Sequence, residues 1–186
     1  MILKNIPNAL TVGRLFLIWP FLYFIFSHEF KWAFYIFLFA GLTDGLDGFL
    51  ARYFNWLTPL GSFLDPLADK LLIAASFISL ALLNQLPWWL VVLVFLRDLT
   101  ISLGVIAWYV LIRKKISFKP TKLSKCNTIF QLSLVTLCLF ELAYFELVPH
   151  LVTILIGLTA ITTSVTFFDY VWTWAKKAIK NTHSLS

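Results

Sequence analysis

The sequence predicts an all-α integral membrane protein, with six transmembrane helices and an N-terminal amphipathic segment. Three observations carry this. Hydrophobic residues make up 60% of the 186-residue chain and charged residues 13%, about half the charged share of a soluble domain; mean hydropathy is +0.87. Apolar runs long enough to cross a hydrocarbon core recur along the chain. Lys and Arg gather in every second connector, the asymmetry that orients helices in a bilayer. The length suits a single domain covering residues 1–186.

The elements follow in order. Residues 2–14 set Lys4, Arg14, Pro7 and two Asn among Ile and Leu, the composition of a segment lying at the membrane surface. The first span covers about 10–27 and ends at Ser27-His28-Glu29. The second, about 32–50, carries Asp44 and Asp47 in its last two turns. A short loop with Asn55, Thr58, Pro59 and Gly61 leads to the third, about 66–84, which has Asp65 and Asp69 at its start. Asn84-Gln85-Leu86-Pro87 separates it from the fourth, about 88–112. A basic connector, 113–125, precedes the fifth span at about 126–145, and the sixth follows at about 149–172. The tail, 176–186, is polar. No internal repeat or low-complexity segment appears.

Six spans put both termini on one side. Of the 15 Lys and Arg, 13 then fall on that side; Lys31 lies opposite and Arg97 within span four. The positive-inside rule makes that side the cytoplasm. The net charge of +6 is thus accounted for by topology and attraction to anionic lipid. It does not mark a nucleic-acid partner, because no basic helix face carries interleaved aromatics. Cys126 and Cys138 are 12 residues apart on one predicted helix, too far along its axis to bridge. Asn5-Ile6-Pro7-Asn8 interrupts any leader, and no small-residue cleavage site follows, which argues against a cleavable signal.

Chemistry concentrates in one place. Four of the nine acidic residues, Asp44, Asp47, Asp65 and Asp69, lie within 26 positions flanked by apolar sequence. Carboxylates beside lipid are costly and need a partner or a function. Asp44 and Asp47 are spaced i,i+3, and Asp65 and Asp69 i,i+4, so each pair projects from one helical face. A short loop makes the two helices antiparallel, which lets the pairs face each other at one membrane depth. Four such carboxylates repel unless a cation neutralises them. An all-oxygen donor set favours Mg2+, Mn2+ or Ca2+ over Zn2+. Gly45, Gly48 and Gly61 allow close helix approach or leave room for a ligand. Arg52, one turn on, is a candidate diphosphate clamp. A capping role explains Asp65 before Pro66. It does not explain Asp44 and Asp47, at a helix end whose dipole disfavours anions.

The stretch from Asp44 to Asp69 matches D-x2-D-G-x2-A-R-x8-G-x3-D-x3-D at every fixed position. On these residues the chain resembles the CDP-alcohol phosphatidyltransferase family, and the likeness in topology covers nearly all of it. Asn5-Ile6-Pro7-Asn8-Ala9-Leu10-Thr11 and Leu64-Asp65-Pro66-Leu67-Ala68-Asp69-Lys70 resemble the branch that makes phosphatidylglycerophosphate or cardiolipin. The resemblance implies that Asp44, Asp47, Asp65 and Asp69 hold a divalent cation, Mg2+ or Mn2+. It implies that Asp69 is the general base, and that Gly48, Ala51, Arg52 and Gly61 surround the CDP of CDP-diacylglycerol. It also implies a homodimer among membrane lipids.

The acceptor is to be read from spans four and five. A charge at Arg97-Asp98, deep in span four, faces a bundle interior; it is either a structural pair or the grip on an acceptor phosphate. Lys122 and Lys125 stand near the start of span five, where either they belong to a solvated inner loop or one of them reaches the cleft. Lys119-Pro120-Thr121, Ser124-Lys125, Asn127-Thr128 and Gln131 resemble the cardiolipin synthases of the family, which use phosphatidylglycerol. The alternative acceptor is sn-glycerol 3-phosphate. A cation-binding transporter is the competing class, but transport sites lie near the midplane, often in repeated halves. The termini and the site are expected to face the cytoplasm from a bacterial cell membrane. Glu141 and Asp169 receive no role beyond helix packing.

Overall fold

A computed structural model describes residues 6–54, 59–112, 122–145 and 150–182. Within helices, the side chains of 6–10, 47–53, 59–66, 105–112, 122 and 174–182 lie outside the description. The described residues form six helices: α1 (Ile6–Phe26), α2 (Phe30–Tyr53), α3 (Pro59–Leu82), α4 (Trp88–Ile112), α5 (Lys122–Ala143) and α6 (Leu151–Thr182). Two stretches, Leu123–Ala143 and Leu151–Thr173, are long and apolar enough to cross a membrane on their described residues alone. Thr11–Phe26 is a shorter apolar stretch.

The helix ends have local causes. His28 takes φ 60° and Asn84 φ 58°, the left-handed cap conformation. After α1, Glu29 N–H donates to Phe24 O at 2.9 Å and His28 N–H to Ile25 O at 3.3 Å. After α3 the same pattern recurs, with Gln85 N–H to Phe24's counterpart, Leu80 O, at 2.9 Å and Asn84 N–H to Ala81 O at 3.0 Å. Both ends therefore turn sharply while satisfying carbonyls that the helix leaves open. Pro87 then stops backward extension of α4, and its carbonyl accepts from Leu90 N–H at 3.0 Å.

Several boundaries differ from those read in the sequence, among them the start of α5, at Lys122 rather than about 126. Residues 6–14 are no separate surface segment but the first turns of α1, with Thr11 and Arg14 buried. Pro7 does not break the helix there, since first-turn N–H groups have no helical partner to lose. Helix α3 starts at Pro59 rather than near 66, so Asp65 is not an N-cap; Pro59 supplies the first-turn proline. Helix α6 continues to Thr182 because Ala175, Lys176, Lys177 and Ala178 are good helix formers.

The chain divides into two compact units. The first is Met1–Gln85 with Val135–Pro149, the second Leu86–Leu134 with His150–Ser186. In the first unit α1 packs against both α2 and α3. Its core holds Phe21, Ile25, Phe37, Phe77 and Leu80, with the Phe21 and Phe37 rings 6.2 Å apart. At the far end Tyr35 and Tyr144 share a hydroxyl contact of 2.5 Å, and Lys31 Nζ lies 5.6 Å from the Tyr144 ring. In the second unit α4 packs on α6. Leu90, Val94 and Leu134 are buried there, but so are Arg97, Asn127, Gln131, Thr159, Thr163 and Thr166. Asn127 Oδ1 accepts from Thr163 at 2.8 Å and from Thr162 at 2.9 Å, tying α5 to α6.

Candidate functional site

Because α2 and α3 both lie against α1, residues on their inner faces meet at one place on it. Asp44 comes from α2, Asp69 from α3 and Arg14 from α1. Arg14 Nη1 donates to Asp69 Oδ1 and stands 2.7 Å from Asp44 Oδ1. One nitrogen thus joins two carboxylates from two helices. The arginine side chain is 1% exposed, while Asp44 and Asp69 are 43% and 39% exposed. The cation is buried beneath an anionic face that remains open to a ligand. Buried Thr43, next to Asp44, turns its hydroxyl back onto Ala40 O at 2.8 Å. Buried Ala68 lets α3 approach closely beside Asp69.

Two of the four predicted aspartates are therefore brought together. The side chains of Asp47 and Asp65 lie outside the described residues, though both belong to helices, α2 and α3. The same holds for Gly48, Ala51, Arg52 and Gly61, expected around CDP, and for the Lys122 side chain. Among the described residues no group of three or more Asp, Glu, His or Cys converges to hold a metal. The pair that is described fits a hard cation in its chemistry: two carboxylate oxygens, adjacent, partly open, without sulfur or imidazole beside them. Gly45 bears on the two readings of the glycines. A Cβ built there meets nothing within 4 Å among the described residues, so no described neighbour requires glycine at this position for helix contact.

In the second unit Arg97 is 5% exposed. Its Nη1 donates to Asp98 Oδ1 at 2.6 Å, its Nη2 to Ser124 Oγ at 2.6 Å, and its Nε to Thr166 Oγ1 at 3.4 Å. The Arg97–Asp98 pair foreseen in the sequence thus forms, within a larger polar cluster drawn from α4, α5 and α6. Lys125, one residue past Ser124, is exposed.

Arg14 is the residue that sequence reasoning misplaced. Its sequence context places it among topology-setting surface charges, yet among the described residues it is the most deeply buried charge at the site. The available signal was its position: a lone arginine within an apolar run requires an anionic partner.

Comparison with known proteins gives the family. The CDP-alcohol phosphatidyltransferase family model matches residues 4–174. The human protein named cardiolipin synthase (CMP-forming) is 35% identical over 185 residues, 89% of this chain and 60% of the human one. A protein of Aquifex aeolicus named CDP-diacylglycerol–glycerol-3-phosphate 3-phosphatidyltransferase is 34% identical over 172 residues, 89% of this chain and 93% of its own. A Salmonella choleraesuis protein of the same name is 37% identical over 135 residues, 69% and 72% of the two chains. The matches to the mycobacterial, fly and human relatives span only 51%, 57% and 60% of their lengths. A match across nearly the whole chain, with Asp44 and Asp69 of the signature side by side, gives the assignment: the chain belongs to the CDP-alcohol phosphatidyltransferase family.

Proposed function

We propose that the protein transfers a phosphatidyl group from CDP-diacylglycerol to a glycerol-type hydroxyl, releasing CMP. The observation that carries this reading is the convergence of Asp44 and Asp69 within an intact family signature. Asp44, Asp47, Asp65 and Asp69 would hold a divalent cation, Mg2+ or Mn2+, on which the family generally depends. Bound there, the cation supplies charge neutralisation to the diphosphate and to departing CMP. Arg52 offers a planar fork to the diphosphate, and Gly48, Ala51 and Gly61 keep the surrounding backbone bare. Asp69 takes the proton from the acceptor hydroxyl. The freed oxygen bonds to the phosphorus that carries diacylglycerol, and the bond to the CMP oxygen breaks, with its electron pair leaving on CMP.

The lead acceptor is phosphatidylglycerol, which would make the product cardiolipin. Support comes from the connector residues around Lys119-Pro120-Thr121 and from relatives that carry that name. A second reading, with sn-glycerol 3-phosphate, is favoured by the Aquifex relative, whose length is almost fully matched. Arg97, Lys122 and Lys125 are proposed to meet the acceptor's phosphate in either case. Radiolabelled CDP-diacylglycerol offered with each acceptor in turn decides. Turnover with glycerol 3-phosphate and none with phosphatidylglycerol would sink the lead.

We read the chain as one functional domain, since the family match runs through both compact units. The six helices have 21, 24, 24, 25, 22 and 32 residues, each enough to cross a hydrocarbon core of about 30 Å at ~1.5 Å per residue. Phe16, Trp19, Tyr23, Phe39, Trp89 and Phe168 are between 56% and 76% exposed. That much outward aromatic surface suits lipid rather than water. The proposed topology keeps the termini and the aspartates on the cytoplasmic side, and a homodimer remains part of the family-based expectation.

A further inference from the structure

We propose that Arg14 is an internal counter-ion of the Asp44–Asp69 pair, that a divalent cation competes with it for those carboxylate oxygens, and that Arg14 thereby sets the cation affinity of the site. The inference rests on the metal-dependent reading above and goes beyond it, because Arg14 belongs to neither the aspartate signature nor any expected ligand set.

The geometry carries it. Two carboxylates on separate helices converge on a single nitrogen of one buried guanidinium. Without that nitrogen, two adjacent anions would repel one another. A guanidinium that is 1% exposed needs anionic partners, and Asp44 and Asp69 are two that it has. Each half of the arrangement therefore stabilises the other in the cation-free protein. Arginine donates hydrogen bonds and accepts none, so it cannot itself be a ligand and can only share or yield oxygen lone pairs. A cation drawn to the same oxygens meets a resident positive charge and is weakened by it. The Arg97–Asp98 pair shows the contrast. Its guanidinium also reaches Ser124 and Thr166, and among the described residues no second carboxylate joins it.

The role differs from that of a static ion pair. Between turnovers Arg14 holds α2 and α3 together at their carboxylates, so the site does not spring open when the cation leaves. During occupancy it lowers affinity, which favours exchange of the cation together with the diphosphate product.

The test is Mn2+ binding by the purified full-length protein in detergent, followed by electron paramagnetic resonance of the unbound ion. Arg14→Gln should bind Mn2+ ~10-fold more tightly than wild type, and Arg14→Lys, which keeps the charge, within ~3-fold of it. Unchanged or weaker binding by Arg14→Gln overturns the proposal. Should that variant not fold, wild-type protein labelled with 15N-arginine decides. The chain has four arginines, and Arg14→Lys identifies the Arg14 side-chain signal. Mg2+ should shift that signal, and an unmoved signal at saturating Mg2+ overturns the proposal. The two readings fail separately. Wild type that binds no Mn2+ removes the metal site itself. Wild type whose binding weakens in Asp44→Asn but is untouched in Arg14→Gln removes only the role of Arg14.

Discussion

Arg97 and Ser124 are joined by a 2.6 Å hydrogen bond from Nη2 to Oγ, linking a charge ten residues into α4 to the first turn of α5. With Asp98 and Thr166 as its other partners, the guanidinium ties three helices of the second unit together. A buried cation so placed has structural value whatever else it does. Separating that value from acceptor binding needs a substitution that keeps the charge.

Arg97→Lys keeps the charge but loses the planar fork. It should raise the KM for the acceptor ~10-fold or more and leave the KM for CDP-diacylglycerol nearly unchanged. Steady-state kinetics with each substrate varied checks this. Lower stability with both KM values unaltered would reduce Arg97 to a helix tie.

Asp69→Asn should lower CMP release ~1000-fold, the scale of a lost general base, a loss that persists at Mn2+ concentrations high enough to offset the weaker binding expected when one of four carboxylates is neutralised. Chelation should abolish release in wild type, and added Mg2+ or Mn2+ should restore it. A transporter would show neither CMP release nor its loss.

Gly45→Ala separates packing from ligand space. A Cβ there meets nothing within 4 Å among the described residues, so the folded state should tolerate it, with a gain of up to ~1 kcal/mol from helix propensity. A raised KM for CDP-diacylglycerol in a protein of undiminished thermal stability would place the donor beside Gly45. Unchanged kinetics would move it elsewhere.

Asn127→Ala removes the acceptor shared by Thr162 and Thr163. The expected loss is ~1–2 kcal/mol in a denaturant titration in micelles. Thr162 also lies 2.8 Å from Leu158 O, so its hydroxyl has an alternative partner. In double-mutant cycles Asn127 should therefore couple more strongly to Thr163 than to Thr162.

The proposed topology, six spans with cytoplasmic termini, predicts the behaviour of fusions. Alkaline phosphatase should be active when joined after Glu29 or Gln85 and inactive when joined within 113–121. A fluorescent protein at the C-terminus should fluoresce. Phosphatase activity from the 113–121 junction would refute the topology.

Much of this architecture was legible because its causes are local. Helix α4 begins and ends where the sequence indicated, 88 to 112, since Pro87 marks its start and nothing inside it competes. The start of α3 was misread because Asp65-Pro66 resembles a cap, while the effective proline, Pro59, lies two turns earlier. The spacing of the aspartates on two helices was enough to foresee that Asp44 and Asp69 would meet. Arg14 was not foreseen, because its partners lie 30 and 55 residues away and helical periodicity carries no information about contacts between helices. The hydrogen bonds of Asn127 to α6 were hidden for the same reason.

The span of sequence between Arg14 and Asp69 bears on biogenesis. Helix α1 leaves the ribosome before Asp69, the more distant of its two carboxylates and 55 residues beyond Arg14, has been synthesised. If it enters the bilayer at once, it does so with a charge whose farther counterpart is still being made, and it settles in depth and rotation only when the third helix arrives. Sliding α1 by one turn, ~5.4 Å, would carry the guanidinium past both aspartates. The first three helices are therefore expected to assemble as a single step, keyed by one side chain. Truncation after α2 should leave α1 poorly retained in the membrane, and extension through Asp69 should secure it, which a series of stalled nascent chains can measure.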